Sequence, residues 1–311
     1  MQMDHIDYKK IIFDHSWIVS KKQKAIISPD IDGLLCGLLM SHYLDWNISG
    51  FYDGKFLIKN KSASIENCIF LDMEILREQI RSVGHHLNVH NLAEPPSTYN
   101  EKMSNCVNPN YIREFDRAHH FSRKYPLGTI HLLMNLLEIE YPSLVKIKKD
   151  GLASIFFADG VWKILFKYTA NVLDWFDYLY TGAEPDWWRK LKEVSVIDLI
   201  KEIEYLLKEF EKIEPNHKNW YGHLDLADFN GQKVLLVDVL NLLSELTGWT
   251  YKVQGWNFEN VTKCQFTKKI YSGKSKSNEK FFEIWKENPL SLAMTEGTTI
   301  QYTREEPDEL K

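Results

Sequence analysis

Cysteine is scarce in this chain: Cys36, Cys68, Cys106 and Cys264 stand far apart, with no Cys-x-x-Cys pair. Such spacing argues against a zinc ribbon or a disulfide framework and leaves reduced, buried thiols as the expectation. No apolar run approaches the roughly 20 residues that cross a bilayer. The opening MQMDHIDYKKIIFDHSW is polar and mixed in charge, without the basic start and apolar stretch of a signal peptide. A cytoplasmic protein without a membrane partner is therefore expected. Positive charge is not in excess either. The net charge is −5 and the pI about 6.1, so any basic surface for nucleic acid must be local. No internal repeat is visible, and GKSKSNEK (273–280) is the one low-complexity stretch, read as an exposed loop.

What is present is enough for a sizeable core. The 311 residues are 44% hydrophobic and 13% aromatic, consistent with one large or two medium domains. In the first third, short apolar runs alternate with helical patterns. KAIIS (24–28), NISGFY (47–52) and NCIFLD (67–72) read as strands. GLLCGLLMSHYL (33–44) and EILREQIRS (74–82) read as helices, the second amphipathic. This alternation predicts an α/β fold, a parallel sheet flanked by helices. In such sheets ligands bind beyond the carboxyl ends of the strands. Asp30, Asp32 and Asp72 all fall at such ends.

Residues 92–110 hold AEPPSTYN and NPN and read as loop. Helices are expected near 111–123 and 128–139, and a long or kinked helical hairpin over 151–180, interrupted at Asp159-Gly160. AEPDWW (183–188) marks a boundary, and 196–213 is a strongly amphipathic helix. From NGQKVLLVDVLNLLSELTGW (230–249) a smaller α+β lobe is expected, with strand-like YKVQGW, KCQFTKKIYSG and TTIQYT and the helix NEKFFEIWKE. The expected divisions are 1–182, a connecting helical region 183–228, and a C-terminal substrate lobe 229–311.

The stretch SPDIDGLL (28–35) places Asp30 and Asp32 one residue apart at a strand's exit. One reading is a turn that caps the following helix. A calcium loop is excluded, because Leu34 and Ser41 stand where ligands are needed. An aspartyl phosphatase of the haloacid-dehalogenase type would use Asp30 as nucleophile, but Leu34 replaces the expected threonine. The remaining reading joins Asp30, Asp32 and Asp72 to the His85-His86 pair. Successive side chains on a regular strand point to opposite faces, so one histidine would ligate and the other reach substrate only where the backbone bends. Mixed carboxylate and imidazole donors suit Mn²⁺ or Mg²⁺.

Taken in order, Asp30-Ile31-Asp32, the strand-ending Asp72 of FLD, Gly84-His85-His86 and Asp159 of FFADG resemble the DHH-type phosphoesterase superfamily. It includes RecJ-like single-strand exonucleases, oligoribonucleases, cyclic-dinucleotide phosphodiesterases and family II pyrophosphatases. The resemblance runs over residues 24–180. It implies two divalent cations held by Asp30, Asp32, Asp72, His85 and Asp159, with Asp72 between them and active in catalysis and His86 on the substrate phosphate. Two cations about 3.5–4 Å apart bind a phosphate and acidify a water for in-line attack. Two departures stand out. Gly84 replaces the first acid of Asp-His-His, a carboxylate expected to orient the histidine; Asp116 is a candidate substitute. Upstream of Asp30, where the family often has another ligand, only Ser28 has a polar side chain. The glycine-rich substrate motif of the family's common C-terminal domain is also missing.

Arg113, Arg117, Arg123 and Lys124 lie in a basic, histidine-containing stretch (107–129). It reads either as a solvated helix or as a phosphate-binding wall, since arginine grips phosphate bidentately. Residues 263–280 are locally basic with Phe266 and Tyr271 interleaved, a pattern for single-stranded nucleic acid or for a solvated loop. Trp162, Trp175, Trp187, Trp188, Trp249 and Trp256 read as core or lobe-interface residues. The functional expectation is a Mn²⁺- or Mg²⁺-dependent phosphodiesterase acting on nucleotide or short single-stranded nucleic acid. The alternative is a degenerate relative that binds such ligands without cleaving them.

Overall fold

The computed structural model describes residues 5–86, 89–182, 184–217, 220–272 and 278–304, with only the backbone at Thr295 and Glu296. Seven strands form the main sheet: β1 (Lys24–Ile27), β2 (Asn47–Tyr52), β3 (Phe56–Asn60), β4 (Cys68–Leu71), β5 (Arg81–Val83), β6 (Cys106–Val107) and β7 (Val261–Gln265). Their order is β6-β5-β4-β1-β2-β3-β7. The first five positions are mutually parallel, and β3 and β7 add antiparallel edges. β1 and β4 are buried almost throughout, as central parallel strands covered on both faces require.

From β1 the chain runs through helix Ile31–Leu44 to β2 on one side, and β4 returns on the other. The carboxyl ends of β1 and β4 thus flank a point where the direction of strand addition reverses, and there the sheet opens a crevice. Asp30 lies three residues after β1, and Asp72 immediately follows β4. The helix between β1 and β2 is apolar nearly all round and buried through its first three turns, with helix Thr129–Glu140 against it.

The smaller sheet is antiparallel: β8 (Thr267–Ser272), β9 (Ser291–Glu296) and β10 (Thr299–Arg304), in the order β8-β10-β9. Helix Asn278–Lys286 packs with it through Phe281, Ile284 and Trp285, over a second core that includes Leu76, Tyr99 and Met103. The expected α/β class with a smaller α+β C-terminal part is what the chain forms. Residues 229–265, read as the start of that part, pack into the large core instead. Helix Phe229–Thr247 buries Leu236, Val239, Leu240 and Leu243 there, and β7 extends the large sheet.

Three local expectations differ. EILREQIRS is not a helix: it leaves β4 extended, bridges Met73 to Val83 and Ile75 to Ser291, turns, and enters β5. Its apolar residues serve two cores, Leu76 one and Ile75 and Ile80 another, so a helix with one buried face would leave one core unfilled. The helix expected at 111–123 is broken into short turns around Glu114, whose φ is +56°. YKVQGW forms a 3₁₀ turn at Val253–Trp256 rather than a strand. No described helix is long and apolar enough to cross a membrane.

Candidate metal centre

Asp32, Asp72, His85 and Asp159 converge. Each offers one ligand atom, and all four atoms lie within 4.8 Å of one another. Four different elements bring them there. Asp32 stands in the first turn of helix Ile31–Leu44. Both its oxygens accept backbone N–H groups from the start of helix Thr129–Glu140: Thr129 N at 2.6 Å and Ile130 N at 3.0 Å. Unpaired N–H groups and the dipole at a helix start favour a carboxylate in that position. Gly128 is necessary for the approach, since a Cβ there would sit 2.9 Å from the Asp32 oxygens.

Asp72 and Asp159 share an unusual backbone. Their φ angles are +65° and +51°, left-handed conformations that cost a non-glycine residue about 1–2 kcal/mol. Asp159 sits between helices Gly151–Phe157 and Val161–Lys167, followed by Gly160 at φ +65°. The break in the predicted hairpin is therefore what turns this carboxylate toward the sheet.

The Thr129 hydroxyl links two of the four side chains. It donates to Asp72 Oδ1 at 2.9 Å, and its oxygen lies 2.9 Å from His85 Nδ1. A hydroxyl has one proton, so with that proton on Asp72 it accepts from His85 Nδ1–H. The other nitrogen, Nε2, then presents a lone pair toward Asp159 Oδ2, 3.1 Å away. A lone pair facing a carboxylate needs a cation or a proton between them. Metal-bound histidines show the same arrangement, with the distal N–H fixed by a neighbouring acceptor.

Ser28 makes a similar demand. Its Oγ lies 2.7 Å from both Asp30 Oδ1 and Asp72 Oδ2, and one proton cannot serve both. Asp30 Oδ1 also accepts Gly33 N at 3.1 Å, so the capping role foreseen for Asp30 is real. Asp30 stands next to the four converging donors rather than among them. Burial lifts Asp32 and Asp72 well above the usual carboxylate range, and the neighbouring aspartates lift them further. Desolvation pushes Asp159 the same way, but the adjacent His85, with a hydrogen bond to Asp32 and the His86 charge, more than reverses it. Oxygen-rich donors with one imidazole fit Mn²⁺ or Mg²⁺, and no cysteine takes part.

His86 stacks on His85 with ring centroids 4.8 Å apart. Its Nδ1 meets Glu74 Oε2 at 3.1 Å. Burial would lower the His86 pKa, but the charge and hydrogen bond of Glu74, with the Asp159 charge, together outweigh it and the net shift is upward. The NPN stretch read as loop is the clamp beneath both histidines. Asn108 Nδ2 donates to Glu74 Oε1 at 2.5 Å and to the His86 carbonyl, and Asn110 Nδ2 donates to the His85 carbonyl at 2.7 Å. Asp116, the expected substitute acid, lies elsewhere: it caps helix Arg117–His120 and bonds His119.

Two cavities meet at this cluster. One, of about 200 Å³, is walled by Ser28, Asp30, Asp72, Glu74 and His86 on the large-sheet side and by Lys268, Ser291, Gln301 and Thr303 from the small sheet. The other, of about 300 Å³, is walled by Asp30, Asp32, Asp159, Phe157, Trp162 and Tyr221. Asp30 and His223 line both. The arginines of the expected phosphate wall line neither. Arg113 pairs with Asp174 at 2.9 Å and lies over Trp175 and Tyr178. Arg123 reaches the same Asp174 at 3.3 Å, and Arg117 donates to the Gly297 carbonyl at 2.7 Å. These contacts fix the fold and leave the guanidinium groups committed. Lys124 alone of that set acts electrostatically at the cluster: burial lowers its pKa, opposed by Asp159 and Glu74.

The basic C-terminal stretch is likewise mostly structural. Phe266 is buried and Tyr271 packs on the second core, while residues 273–277 lie outside the described residues. Trp175, Trp187, Trp249 and Trp256 are buried as expected. Sequence reasoning missed Thr129, Glu74, Asn108, Asn110 and His223, while Lys268 lies within the basic stretch 263–280 that it singled out. Only the asparagines carried a usable signal, as polar residues flanking a proline. No family model, curated protein or solved structure matches this chain.

Proposed function

We propose that the chain is a divalent-cation-dependent phosphoesterase whose substrate is a phosphodiester of nucleotide type, a short single strand or a dinucleotide. The observation that carries this reading is the convergence of Asp32, Asp72, His85 and Asp159 on one point at the mouth of two cavities. A Mn²⁺ or Mg²⁺ ion held there would supply positive charge to the phosphate and acidify a water. Asp32, Asp72, His85 and Asp159 would hold it, with Thr129 fixing the histidine's tautomer. The described donors form one such group, so the reading takes one ion, and a second would have only Asp30 and the shared Asp72 to draw on.

The chain's own groups divide the remaining work. His86, its Nδ1 facing Glu74, would in its imidazolium form offer the Nε2 proton to a phosphate oxygen or to the departing oxygen. Lys268 and Gln301 on the small sheet are placed to hold one arm of the substrate in the polar cavity. Trp162, Tyr221 and Phe157 offer aromatic faces for a base on the other arm. Two cavities sharing one waist favour a diester over a monoester, because a monoester has a single arm.

The test is incubation of purified chain with Mn²⁺ and dinucleotides, short DNA and RNA strands, cyclic dinucleotides and pyrophosphate. Diester hydrolysis that needs Mn²⁺ and is lost in Asp72→Asn is expected. No hydrolysis of any substrate would defeat the reading. One observation favours a second reading, binding without cleavage. Ser28 stands where the family often has an upstream ligand, and its hydroxyl lies between Asp30 and Asp72. Retained Mn²⁺ and dinucleotide binding without turnover would select it.

A further inference from the structure

Gly84 and Glu74 occupy one another's space. Met73 bridges Val83 across the exit of β4, and the Glu74 side chain lies against the backbone of Gly84. A Cβ built on Gly84 would lie 2.7 Å from Glu74 Cδ, 2.8 Å from Glu74 Oε2 and 2.9 Å from the Met73 carbonyl carbon. Gly84 is not among the residues with positive φ, so its backbone does not call for glycine. The requirement is spatial: any larger residue would displace the Glu74 carboxylate and press on the Met73 backbone, and only the first of these is relieved by shortening Glu74.

That carboxylate is buried, with Glu74 only 2% exposed, and both its oxygens are engaged. Oε1 accepts from Asn108 Nδ2, and Oε2 faces His86 Nδ1. Asn108 also grips the His86 carbonyl, so ring and backbone of His86 are fixed by one network. Asp72 and Glu74 are two residues apart and line the same cavity.

We propose that Glu74 is the positioning residue for His86, and that glycine at 84 exists to admit it. The first acid of an Asp-His-His triplet is thus replaced by a carboxylate from the segment between β4 and β5. Its consequence for catalysis rests on the phosphoesterase reading; the exchange of space between 74 and 84 does not.

The test is a double-variant cycle on the full chain without added metal, read by thermal midpoint and by the His86 tautomer from ¹⁵N-resolved NMR. Gly84→Ala and Gly84→Asp should each lower the midpoint by several degrees in the natural background. Either should cost clearly less when combined with Glu74→Ala. Glu74→Ala should release His86 from the Nδ1–H form into a tautomer mixture, and Glu74→Gln, which keeps an acceptor oxygen, should largely restore it. If Glu74→Ala does not fold, Glu74→Asp, which withdraws the carboxylate by one methylene, combined with Gly84→Ala supplies the same cycle. Additive midpoint losses, or an unchanged tautomer in Glu74→Ala, would overturn the proposal. A chain that cleaves nothing yet shows the coupling would retain this inference while losing the proposed function. If the chain is active, Glu74→Ala should lower kcat more than tenfold with little change in KM, and Glu74→Gln should recover part of it.

Discussion

His85 Nε2 stands 3.1 Å from Asp159 Oδ2 while its other ring nitrogen is taken by the Thr129 hydroxyl. On the proposed reading the pair shares a cation. Calorimetric titration of the full chain with Mn²⁺ near neutral pH should give about one ion per chain. It should also raise the thermal midpoint, because a ligand that binds only the folded state stabilises it. His85→Ala and Asp159→Asn should each weaken binding by at least about tenfold. Equal affinity in all three proteins would refute the assignment.

Thr129→Val keeps the volume of the threonine and deletes the hydroxyl that joins Asp72 to His85. Leaving those buried groups without a partner should cost about 1–3 kcal/mol of stability, measured by urea unfolding. Because the hydroxyl also selects the histidine tautomer, Mn²⁺ affinity should fall about 10–100-fold. A valine variant that is destabilised but binds Mn²⁺ normally would confine Thr129 to a packing role.

His131 gives the fold a pH dependence of its own. Its ring is fully buried against Phe156 and Trp187, and burial pulls its pKa down to about 4. The unfolded chain takes up a proton near pH 6.5, but the folded ring does not. The neutral ring's contribution is thus complete above about pH 6.5 and is lost as pH falls toward 4, amounting to about 2 kcal/mol near pH 5. The raised carboxyl groups of Asp32 and Asp72 act in the opposite sense, since a carboxyl protonated in the fold favours folding at low pH. Comparison with His131→Leu isolates the histidine: its urea midpoint should fall less than the natural chain's between neutral pH and 5. Parallel slopes would count against the prediction.

Lys268 and Arg123 should part company in kinetics. Lys268 lines the polar cavity, its Nζ held 2.9 Å from the Asp53 carbonyl, whereas Arg123 pairs with Asp174 away from both cavities. Lys268→Ala should raise KM for a diester several-fold and leave kcat near its natural value. Arg123→Ala should change neither by more than about twofold, as expected of an exposed ion pair. The reverse ranking would return the basic stretch at 107–129 to the substrate.

Legibility in the sequence followed the range of each interaction. β1 and β4 were readable because a buried parallel strand is a short apolar run, and the aspartate after each marks the sheet's open edge. Asp159 was readable because Asp-Gly interrupts an apolar helical face. EILREQIRS was not. Its apolar spacing suits a helix, but neighbouring side chains are drawn into two different cores, and tertiary packing overrode the local preference. Glu74 was hidden by that same misreading, since a helix would have turned it away from residue 84. Thr129 lies far along the chain from every group it joins, and nothing in PLGT announces it. The arginines misled because their composition suits a phosphate, whereas their partners, Asp174 and the Gly297 carbonyl, are set only by the tertiary fold.

The left-handed backbone at Asp72 and Asp159 has a consequence for how these positions could drift. At Asp72, glycine would relax the backbone, sparing about 1–2 kcal/mol of conformational strain, and would remove a buried carboxyl group that the neighbouring aspartates repel. In the cation-free chain, Asp72→Gly should therefore melt higher than the natural protein. At Asp159 the same relaxation is set against the loss of the pairing with His85, so glycine there gains less.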